Sequence, residues 1–351
     1  MVNNVSAKTV VVTGGSGMLG GHLVQALADD GWRVRSLDVR QPIEPVPGVD
    51  YLVADVRDTA GVGAAVAGAD AVVHTAAALP SYPEDEIRSI IVGGTETVLA
   101  AAERAGAERV VHVSSTAVYG LPKVVPTTER YPREPVDPYS RAKAGAEEVA
   151  ERFRERGLLV PMLRPKTFLG PGRMGLFSML FEWAEEGRNF PVLGRGDVRI
   201  QMLAIDDLVD AVRTVLRAPD TVANDTFNIA ADRFGTIRED FQAVLDAAGH
   251  GKRVVSVPAR PAVAALELLQ RLKLSPVYGR LIHKLLADSY VSVEKARDVL
   301  GWTPRLSNQD AILRTYRWWQ SSHRTAAPTS AGRTSRDPWK QGALGLAKAV
   351  F

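Results

Sequence analysis

Short apolar runs alternate with amphipathic stretches through the first half of the chain. Several runs are apolar without polar alternation, which is typical of parallel strands buried on both faces. The predicted strands are Thr9–Thr13, Arg33–Asp38, Asp50–Ala54, Ala71–Thr75, Arg109–Ser114 and Leu158–Arg164. Between them, helices are predicted at Met18–Asp30, Glu84–Ala105 and Tyr139–Arg156. This order of elements predicts an α/β fold with a doubly wound parallel sheet.

The pattern loosens after about Arg164, where Gly170, Pro171 and Gly172 predict a turn. Further helices are predicted at Leu176–Gly187, Asp206–Ala218, Arg238–Ala248, Pro261–Lys273, Val293–Leu300 and Gln309–Ser322. Short strands are predicted near Arg199–Ala204 and Thr226–Ala230. We expect a smaller, mixed, mostly helical part that covers the carboxyl edge of the sheet.

Composition narrows the class of protein. Apolar residues form 46% of the 351 residues, and cysteine is absent, which excludes disulfides and thiolate chemistry. The net charge of +3 comes from interspersed residues of both signs, so no nucleic-acid partner is expected. No apolar run approaches the ~20 residues of a membrane span, and the first residues lack a signal-peptide pattern. We therefore expect a cytoplasmic protein without a membrane span.

A glycine-rich segment, Thr13-Gly-Gly-Ser-Gly-Met-Leu-Gly20, links the first predicted strand to the first predicted helix. Gly14 permits a tight turn, Gly17 lets the backbone approach a pyrophosphate, and Gly20 allows the helix to pack closely on the strand. The N–H groups at the start of the helix then face the phosphates. In this strand-to-helix position the glycines predict a dinucleotide site in a Rossmann-type fold.

An acidic residue, Asp38, ends the second predicted strand. A carboxylate there accepts hydrogen bonds from the adenosine ribose and repels a 2′-phosphate, which favours NAD over NADP. Arg35 and Arg40 lie close by in sequence. The alternative is that these arginines bind the 2′-phosphate of NADP. Asp55 is predicted either to reach the adenine edge with the Val56 backbone or to act as a helix cap or loop acid.

Tyr139 and Lys143 are four residues apart at the start of a predicted helix, after Asp137-Pro138. This spacing puts the phenol and the ammonium on one helix face. A free tyrosine, with a pKa of ~10, is a poor base at neutral pH, and a nearby ammonium favours its phenolate. The pair is therefore a candidate acid–base system, and Lys143 is also a candidate donor to the nicotinamide ribose.

Three hydroxyl residues follow the fifth predicted strand in Val113-Ser-Ser-Thr-Ala-Val-Tyr-Gly120. Ligands bind outside the carboxyl ends of such strands. A hydroxyl there is placed to hydrogen-bond the substrate oxygen while Tyr139 moves its proton. From the residues alone, Ser114, Ser115 and Thr116 compete for this role.

Together these segments resemble the extended short-chain dehydrogenase/reductase family, especially its NAD-dependent epimerase/dehydratase branch. The resemblance covers roughly Lys8 to Ser322. The matching pieces are Thr13–Gly20, His74-Thr-Ala-Ala77, Gly94-Thr95, Ser114–Gly120, Tyr139–Lys143, Arg164-Pro165, Gly170-Pro-Gly172, Ile205-Asp-Asp-Leu208 and Lys295–Pro304. The resemblance implies that Ser115 is the catalytic hydroxyl and that the protein forms a homodimer. It also implies that Met18, Leu19, Ala76 and Pro165 line the dinucleotide.

The chain departs from the family's sugar-modifying members. Dehydratases carry an Asp-Glu pair where this chain has Thr116 and Ala117, so a dehydratase is not expected. The epimerases commonly have an Asn that aligns with Thr167, an Arg that aligns with Ile200 and an Arg/Asp pair that aligns with Ile282 and Leu285. In those enzymes the Arg and the pair help hold the nucleotide. Possible replacements nearby are Arg199, Arg280, His283 and Lys284. The family's Asn before the Gly-Thr pair aligns with Ile91 and its fourth-strand Lys with Leu79.

Two cations and one histidine complete the candidates. Lys166 and Arg173 are expected either to meet an anionic substrate or to be solvated surface cations. Lys166, Thr167, Ser115 and Thr116 are the predicted substrate-binding residues. His74 is interpreted as a structural residue. No His, Asp or Glu cluster has metal-ligand spacing, so no metal is expected.

Three functions follow from these residues. The first is a sugar epimerase, with nucleotide sugars as the expected substrates, that transfers hydride to bound NAD and takes it back. The second is an NAD(P)-dependent dehydrogenase or ketoreductase of a non-nucleotide alcohol, steroid-like or a secondary metabolite. The third is a non-catalytic NAD-binding sensor, against which the complete set of Ser115, Tyr139 and Lys143 argues.

The predicted parts are residues 1–165, which bind NAD, residues 166–323, which bind substrate and are interleaved with the sheet, and residues 324–351. Residues 324–337 are rich in Thr, Ser, Ala, Pro and Arg, which predicts a flexible tail. The apolar end, Trp339–Phe351, predicts a short helix docking on the body, with a dimer contact or a weak surface anchor as alternatives.

Overall fold

A parallel sheet of seven strands forms the centre of the molecule. The computed structural model describes residues 7–172, 177–264, 286–323 and 348. The strands are β1 (Thr9–Thr13), β2 (Arg33–Asp38), β3 (Asp50–Val53), β4 (Ala71–His74), β5 (Arg109–Val113), β6 (Met162–Pro165), β7 (Phe168–Leu169), β8 (Phe190–Leu193), β9 (Leu203–Ala204), β10 (Thr226–Ile229) and β11 (Val254–Val257). The large sheet has the order β3-β2-β1-β4-β5-β6-β10, with every neighbouring pair parallel.

Helices cover both faces of this sheet. They are α1 (Met18–Asp29), α2 (Thr59–Val66), α3 (Glu84–Arg88), α4 (Gly94–Ala105), α5 (Pro138–Glu155), α6 (Phe177–Glu185), α7 (Ile205–Arg217), α8 (Asp220–Ala223), α9 (Ile237–Ala248), α10 (Glu294–Leu300) and α11 (Asn308–His323). A π-helical turn, Ser89–Gly93, joins α3 to α4, and a 3-10 turn spans Thr116–Tyr119.

The apolar run of β1 explains why its residues do not alternate with polar ones. Val10 and Val12 pack into the core beneath α1 and α7, whereas Val11 packs into the core beneath α2, α4 and α5. All three valines are fully buried, since successive strand residues point to opposite faces and both faces are covered. The predicted α/β class with a doubly wound parallel sheet is confirmed.

The C-terminal part adds a third core beside the sheet. Strands β8 and β11 pair in parallel, and α6, α9 and α11 pack around them. Phe181, Trp183 and Trp319 are buried in this core, and Trp318 packs against it. Among the described residues, no helix is both long and apolar enough to span a membrane.

Several element predictions need correction. Only Leu203–Ala204 of the predicted strand Arg199–Ala204 is a strand, because Ile200 instead forms an isolated bridge with Ser289. The strand at Thr226–Ile229 joins the large sheet next to β6. The long helix predicted at Glu84–Ala105 is divided by the π-helical turn.

Other elements escaped the sequence pattern or lie outside the described structure. The elements α2, α8, β8 and β11 were not predicted. The predicted helix Pro261–Lys273 lies outside the described residues from 265 onwards. The predicted tail also lies outside them, except for Lys348, whose Nζ contacts Glu186 Oε1 at 2.6 Å.

Candidate active site

A cleft of about 1200 Å³ opens along the carboxyl ends of the strands. Residues that follow β1, β2, β3 and β4 line one end, called the β1–β4 half. Residues that follow β5 and β6, with Ile200–Gln201 and Ser289–Val291, line the β5–β6 half. The cleft includes the point where the strand order reverses between β1 and β4, the usual ligand position in such sheets.

Every residue predicted for the site from the sequence lines this one cleft. They are Gly14, Gly17, Met18, Leu19, Gly20, Asp38, Asp55, Val56, Ala76, Ser115, Thr116, Tyr139, Lys143, Pro165, Lys166 and Thr167. The fold therefore brings together positions that are up to about half the chain apart in sequence.

The glycine loop is packed too closely for side chains. Gly14 has a left-handed backbone with φ of 71°, and an added Cβ would lie 2.8 Å from the Ala76 backbone. A Cβ on Gly20 would lie 2.0 Å from the Gly14 carbonyl oxygen, and one on Gly17 would lie 3.0 Å from the same oxygen. Because α1 begins at Met18 without a side-chain cap, its first turn presents backbone to the cleft, which suits a phosphate group.

Asp38 holds the turn at the end of β2. Its Oδ2 accepts from Ser16 N at 3.1 Å, and its Oδ1 accepts from Arg40 N at 3.1 Å. Burial raises the pKa of this half-buried carboxyl, and the two backbone N–H groups oppose that rise. Each carboxylate oxygen has a second lone pair, so each can also accept a hydrogen bond from a ribose hydroxyl.

Of the two arginines considered as phosphate partners, only one lines the cleft. Arg40 does so. Arg35 instead donates through Nη1 to the carbonyl oxygens of Ala65, at 3.0 Å, and Ala67, at 2.6 Å. The alternative that Arg35 meets a 2′-phosphate is therefore wrong, because its guanidinium is anchored to the carboxyl end of α2.

Asp55 is an ion-paired residue at the end of the β1–β4 half. Arg57 donates to its Oδ1 through Nε at 2.9 Å and to its Oδ2 through Nη2 at 2.6 Å. This pairing lowers the pKa of the Asp55 carboxyl. The helix-cap alternative is wrong, since Asp58 caps α2 by accepting from Ala60 N.

The start of α5 fixes Tyr139 and Lys143. Asp137 Oδ1 accepts from Ser140 N at 2.7 Å, and Ser140 Oγ accepts from Asp137 N at 2.9 Å. This reciprocal capping box, with Pro138 in the first turn, starts the helix at Pro138, one residue before Tyr139 and five before Lys143. Tyr139 and Lys143 consequently lie one turn apart and both line the cleft.

Lys143 is almost completely buried, with 4% of its surface exposed. Its Nζ donates to the Val113 carbonyl oxygen at 2.8 Å, at the end of β5. Burial lowers the pKa of Lys143 to about 8, and the nearby Glu147 carboxylate opposes the fall. The ammonium therefore stays largely protonated at neutral pH and adds a positive charge beneath the Tyr139 turn.

The three competing hydroxyls after β5 have different partners. Ser114 Oγ donates to Glu147 Oε1 at 2.6 Å in the interior. Thr116 Oγ1 donates to the Pro165 carbonyl oxygen at 3.3 Å. Ser115 Oγ accepts from Ala117 N at 3.1 Å, which leaves its own hydrogen to be donated. Of the three, Ser115 is thus best suited to donate to a substrate oxygen.

A buried ion pair supports this region from below. Arg164 donates to Glu147 through Nε at 2.8 Å and Nη2 at 2.6 Å, and Glu147 is fully buried. Arg164 Nη1 also donates to the Tyr119 hydroxyl at 2.8 Å. Burial raises the pKa of the Tyr119 phenol to about 12, so it stays protonated. These bonds tie α5 to the ends of β5 and β6.

His74 has a structural place at the end of β4. Its ring nitrogens contact Thr13 Oγ1 at 2.7 Å and Thr95 Oγ1 at 3.1 Å. Burial, reinforced by the Lys143 charge, lowers the pKa of His74 to about 3. A neutral imidazole with both nitrogens occupied fits the predicted structural interpretation.

Comparison with known proteins decides the family. The sequence profile of the NAD dependent epimerase/dehydratase family matches residues 10–230. The chain belongs to this family. Membership confirms the family predicted from the sequence, the enzyme class and NAD as the cofactor.

Relatives extend over nearly the whole chain. An uncharacterised protein of Sinorhizobium fredii, y4nG, is 36% identical over 348 residues, covering 97% of this chain and 85% of the relative. A 3 beta-hydroxysteroid dehydrogenase/Delta 5-->4-isomerase of Mycobacterium tuberculosis is 32% identical over 335 residues, covering 86% of this chain and 88% of the relative. The solved structure of MoeE5 with UDP-glucuronic acid and NAD is 26% identical, with a TM-score of 0.73, covering 90% of this chain and 99% of MoeE5.

This member of the family lacks a cleft-facing arginine in the β9 region. Thr167 and Ile200 line the cleft where epimerases have Asn and Arg. The guanidinium carbon of Arg199 lies 4.7 Å from the Phe234 ring centroid and 5.3 Å from the Tyr290 ring centroid. Arg199 is not among the residues that line the cleft, because neighbours in extended chain point to opposite sides. The interpretation that Arg199 replaces the missing arginine is wrong; Arg173, Arg280, Ile282, His283, Lys284 and Leu285 lie outside the described residues.

One wall of the β5–β6 half was not predicted. Ser289 bridges Ile200, and Val291 bridges Thr127, so residues 289–291 join two distant segments. Gln201 secures the join, accepting from Val291 N at 2.8 Å. The unpredicted lining residues of this wall are Thr127, Gln201, Ser289, Tyr290 and Val291, and Tyr82, which follows β4, was not predicted either. No local pattern could reveal the wall, since it depends on the pairing of Ile200 with Ser289 and of Thr127 with Val291.

Proposed function

We propose that the protein is an NAD-dependent dehydrogenase or ketoreductase of a secondary alcohol on an apolar, non-nucleotide body, such as a steroid. The observation that carries this proposal is the outward packing of Arg199, with Ile200 in the cleft instead. The β5–β6 half presents the apolar and aromatic side chains of Phe168, Ile200, Tyr290 and Val291, and Leu79 and Pro80, which follow β4, also line the cleft. The hydroxysteroid dehydrogenase relative, at 32% identity, supports the same substrate class.

The β1–β4 half suits the cofactor. The backbone cradle at Gly14 and Gly20 leaves no room for a Cβ, as close approach of a pyrophosphate requires. Asp38 is placed for the adenosine ribose, and its charge disfavours a 2′-phosphate. NAD, when bound, supplies the acceptor or donor of the hydride at the substrate carbon.

The chain's own residues handle the proton. In the oxidation, the Tyr139 phenolate would take the proton from the hydroxyl oxygen of the alcohol while the carbon that bears this hydroxyl gives up its hydride, which leaves a ketone. Ser115 donates a hydrogen bond to the substrate oxygen throughout, and the Lys143 ammonium stabilises the phenolate. The proton then passes from Tyr139 to solvent, so the reaction is alcohol plus NAD⁺ to ketone, NADH and H⁺. The reverse sequence reduces a ketone.

Turnover with matched cofactor and substrate panels tests the proposal. The purified protein is supplied with NAD and, separately, hydrophobic secondary alcohols or UDP- and dTDP-sugars, and NADH formation is followed. We expect net NADH with an apolar alcohol, and at least about a thousandfold loss of kcat/KM in Tyr139→Phe. A Tyr139→Phe variant with full activity contradicts the catalytic assignment.

The second candidate is a nucleotide-sugar epimerase. The 26% identity to MoeE5, solved with UDP-glucuronic acid and NAD, favours it. An epimerase returns the hydride to its substrate, so it holds NAD through turnover and releases no net NADH. Conversion of a nucleotide sugar to its epimer without NADH release would support this candidate against the dehydrogenase.

A further inference from the structure

The backbone of Tyr290 is fixed in the wall of the cleft. Its carbonyl oxygen accepts from Thr127 N at 3.0 Å. The residue before it, Ser289, donates through N to the Arg199 carbonyl oxygen at 2.8 Å, and the residue after it donates through N to the Gln201 side chain at 2.8 Å. Three consecutive residues are thus bonded to two distant segments, so the Tyr290 side chain projects into the wall from a well-fixed support.

One face of the Tyr290 ring is covered from outside the cleft. The guanidinium carbon of Arg199 lies over this ring, 5.3 Å from its centroid. The Phe234 ring centroid lies 5.4 Å from that of Tyr290, at an interplanar angle of 48°. Tyr290 lines the cleft, whereas the described side chains of Arg199 and Phe234 lie outside its lining. The part of the Tyr290 ring that the cleft presents is therefore not the face that Arg199 covers.

Arg199 is held at both of its ends. Its backbone N donates to Asp288 Oδ1 at 2.8 Å. Its Nη2 donates to the Phe234 carbonyl oxygen at 3.4 Å, and its guanidinium carbon lies 4.7 Å from the Phe234 ring centroid. A cation over an aromatic face at an exposed site changes an equilibrium constant by about two- to fivefold. Arg199 thereby favours one orientation of the Tyr290 ring without reaching the cleft itself.

A fixed aromatic ring gives a cleft wall a flat apolar surface. Dispersion attraction is strongest where atoms lie about 4 Å apart, and it falls steeply where two surfaces diverge. A flat fused-ring body keeps such contact along its length, whereas a bent body of the same composition lifts part of its atoms away. The ring therefore distinguishes substrates by shape, at equal charge and equal hydrogen-bonding groups.

We propose that Tyr290 is a specificity-determining residue that selects substrates with a flat fused-ring body, and that Arg199 positions its ring from outside the cleft. The inference rests on the proposed dehydrogenase function and narrows its substrates from apolar secondary alcohols in general to flat polycyclic ones. It predicts discrimination between two isomers that share composition, functional groups and rigidity and differ in planarity.

Two epimeric hydroxysteroids form such a pair. In 3β-hydroxyandrostan-17-one, the 5α epimer is flat and the 5β epimer is bent where its first two rings join. Their affinities for the NADH-loaded protein, which cannot oxidise an alcohol, are measured by calorimetry. We expect the flat epimer to bind at least about tenfold more tightly. In Tyr290→Ala this ratio falls at least about fivefold, whereas in Tyr290→Phe, which keeps the ring, it stays within about twofold of the wild-type value.

A matched arginine variant provides the control for Arg199. Arg199→Ala removes the cation over the ring and should lower the flat-to-bent ratio about two- to threefold. Arg195 is also exposed and lies outside the cleft lining, so Arg195→Ala keeps the wild-type ratio. A change that weakens folding lowers both affinities together and leaves their ratio unaltered, so the ratio separates positioning from stability.

Equal affinity for the two epimers, an unchanged ratio in Tyr290→Ala, or no binding of either compound overturns the inference. An unchanged ratio in Arg199→Ala, or an equal fall in Arg195→Ala, overturns the positioning role of Arg199. NADH formation from NAD with each epimer is followed in parallel. Flat-selective binding that depends on Tyr290, without NADH from either epimer, contradicts the dehydrogenase function alone. NADH from both epimers without selectivity contradicts the role of Tyr290 alone.

Discussion

Ser115 differs from its two neighbouring hydroxyl residues in the direction of its hydrogen bond. Ser114 and Thr116 both donate within the protein, to Glu147 and Pro165, whereas Ser115 accepts from Ala117 N. The sequence supplied three candidates at adjacent positions. Only the three-dimensional partners of each oxygen distinguish them, and those partners lie on α5, on β6 and in the 3-10 turn.

Replacing Ser115 by alanine is expected to affect catalysis more than folding. Loss of one donor to the reacting oxygen lowers kcat/KM by about a hundredfold. Ser114→Ala should instead lower the melting temperature, because it leaves a buried Glu147 oxygen short of a donor. Steady-state kinetics and thermal unfolding of both variants check this, and equal kinetic losses without a stability difference would contradict it.

Asp38 is expected to control cofactor preference. Asp38→Ala removes the acceptor for the ribose and the repulsion of a 2′-phosphate, while Arg40 remains at the cleft. The affinity for NAD should fall about tenfold, and the preference for NAD over NADP should narrow. Dissociation constants for both cofactors measure this. Asp29→Ala, an exposed change on α1, should leave both constants unaltered; an unchanged NAD preference in Asp38→Ala would refute the assignment.

At the scale of elements, α5 carries the proposed catalytic pair and also stabilises the fold. Its first two turns carry Tyr139 and Lys143, and its third turn inserts Glu147 between Arg164 and Ser114. The i, i+4 spacing of Lys143 and Glu147 puts both on the sheet-facing side of the helix. The ion pair thereby fixes the height of the helix above β5 and β6.

Removal of this carboxylate leaves Arg164 buried without its main partner. Glu147→Ala should lower the free energy of unfolding by about 3–5 kcal/mol, as for other broken buried pairs. The next residue, Glu148, is exposed, so Glu148→Ala should change the free energy of unfolding by less than about 0.5 kcal/mol. Denaturant unfolding compares the two, and similar losses would show that the pair does not hold the helix.

The junction of α9 and α11 lies behind the unpredicted wall of the cleft. Asn308 donates to the Ile200 carbonyl oxygen and to Asp240 Oδ2, each at 2.8 Å. Asp240 is fully buried, and within the described structure its Oδ1 has no hydrogen-bond partner. Burial raises the pKa of this carboxyl from 3.8 to about 6.

A carboxyl with a raised pKa makes the folded state bind its proton more tightly than the unfolded chain does. Stability should therefore fall as the pH rises from about 4 to about 6 and stay lower above that range. Asp240→Asn removes this dependence and should be more stable than the wild type at about pH 8, by up to about 3 kcal/mol. Melting temperatures across this pH range provide the measurement, and parallel curves for both proteins would contradict it.

At the scale of the whole molecule, the sequence predicts the first half better than the second. Runs such as Val10–Val12 and the spacing from Gly14 to Gly20 are local signals that directly reflect burial and backbone approach. The wall at Ser289–Val291 depends on pairing with Thr127 and Ile200, which no local pattern records.

The difference between local signals and long-range packing is also why we propose an apolar substrate instead of a nucleotide sugar. In the sequence, Arg199 is one position from Ile200 and reads as a possible replacement for a nucleotide-binding arginine. In the structure, strand alternation and the rings of Phe234 and Tyr290 place its guanidinium outside the cleft lining. The cofactor site was predictable from local motifs, whereas the substrate site depends on how distant segments meet.

The fate of a labelled hydrogen tests the central claim most directly. An apolar secondary alcohol that carries deuterium on its carbinol carbon is incubated with the protein and NAD, and the label is located by mass spectrometry. The account predicts deuterium in released NADH with the wild type and none with Tyr139→Phe. Label that returns to the substrate carbon without NADH release, or label transfer that survives Tyr139→Phe, would contradict it.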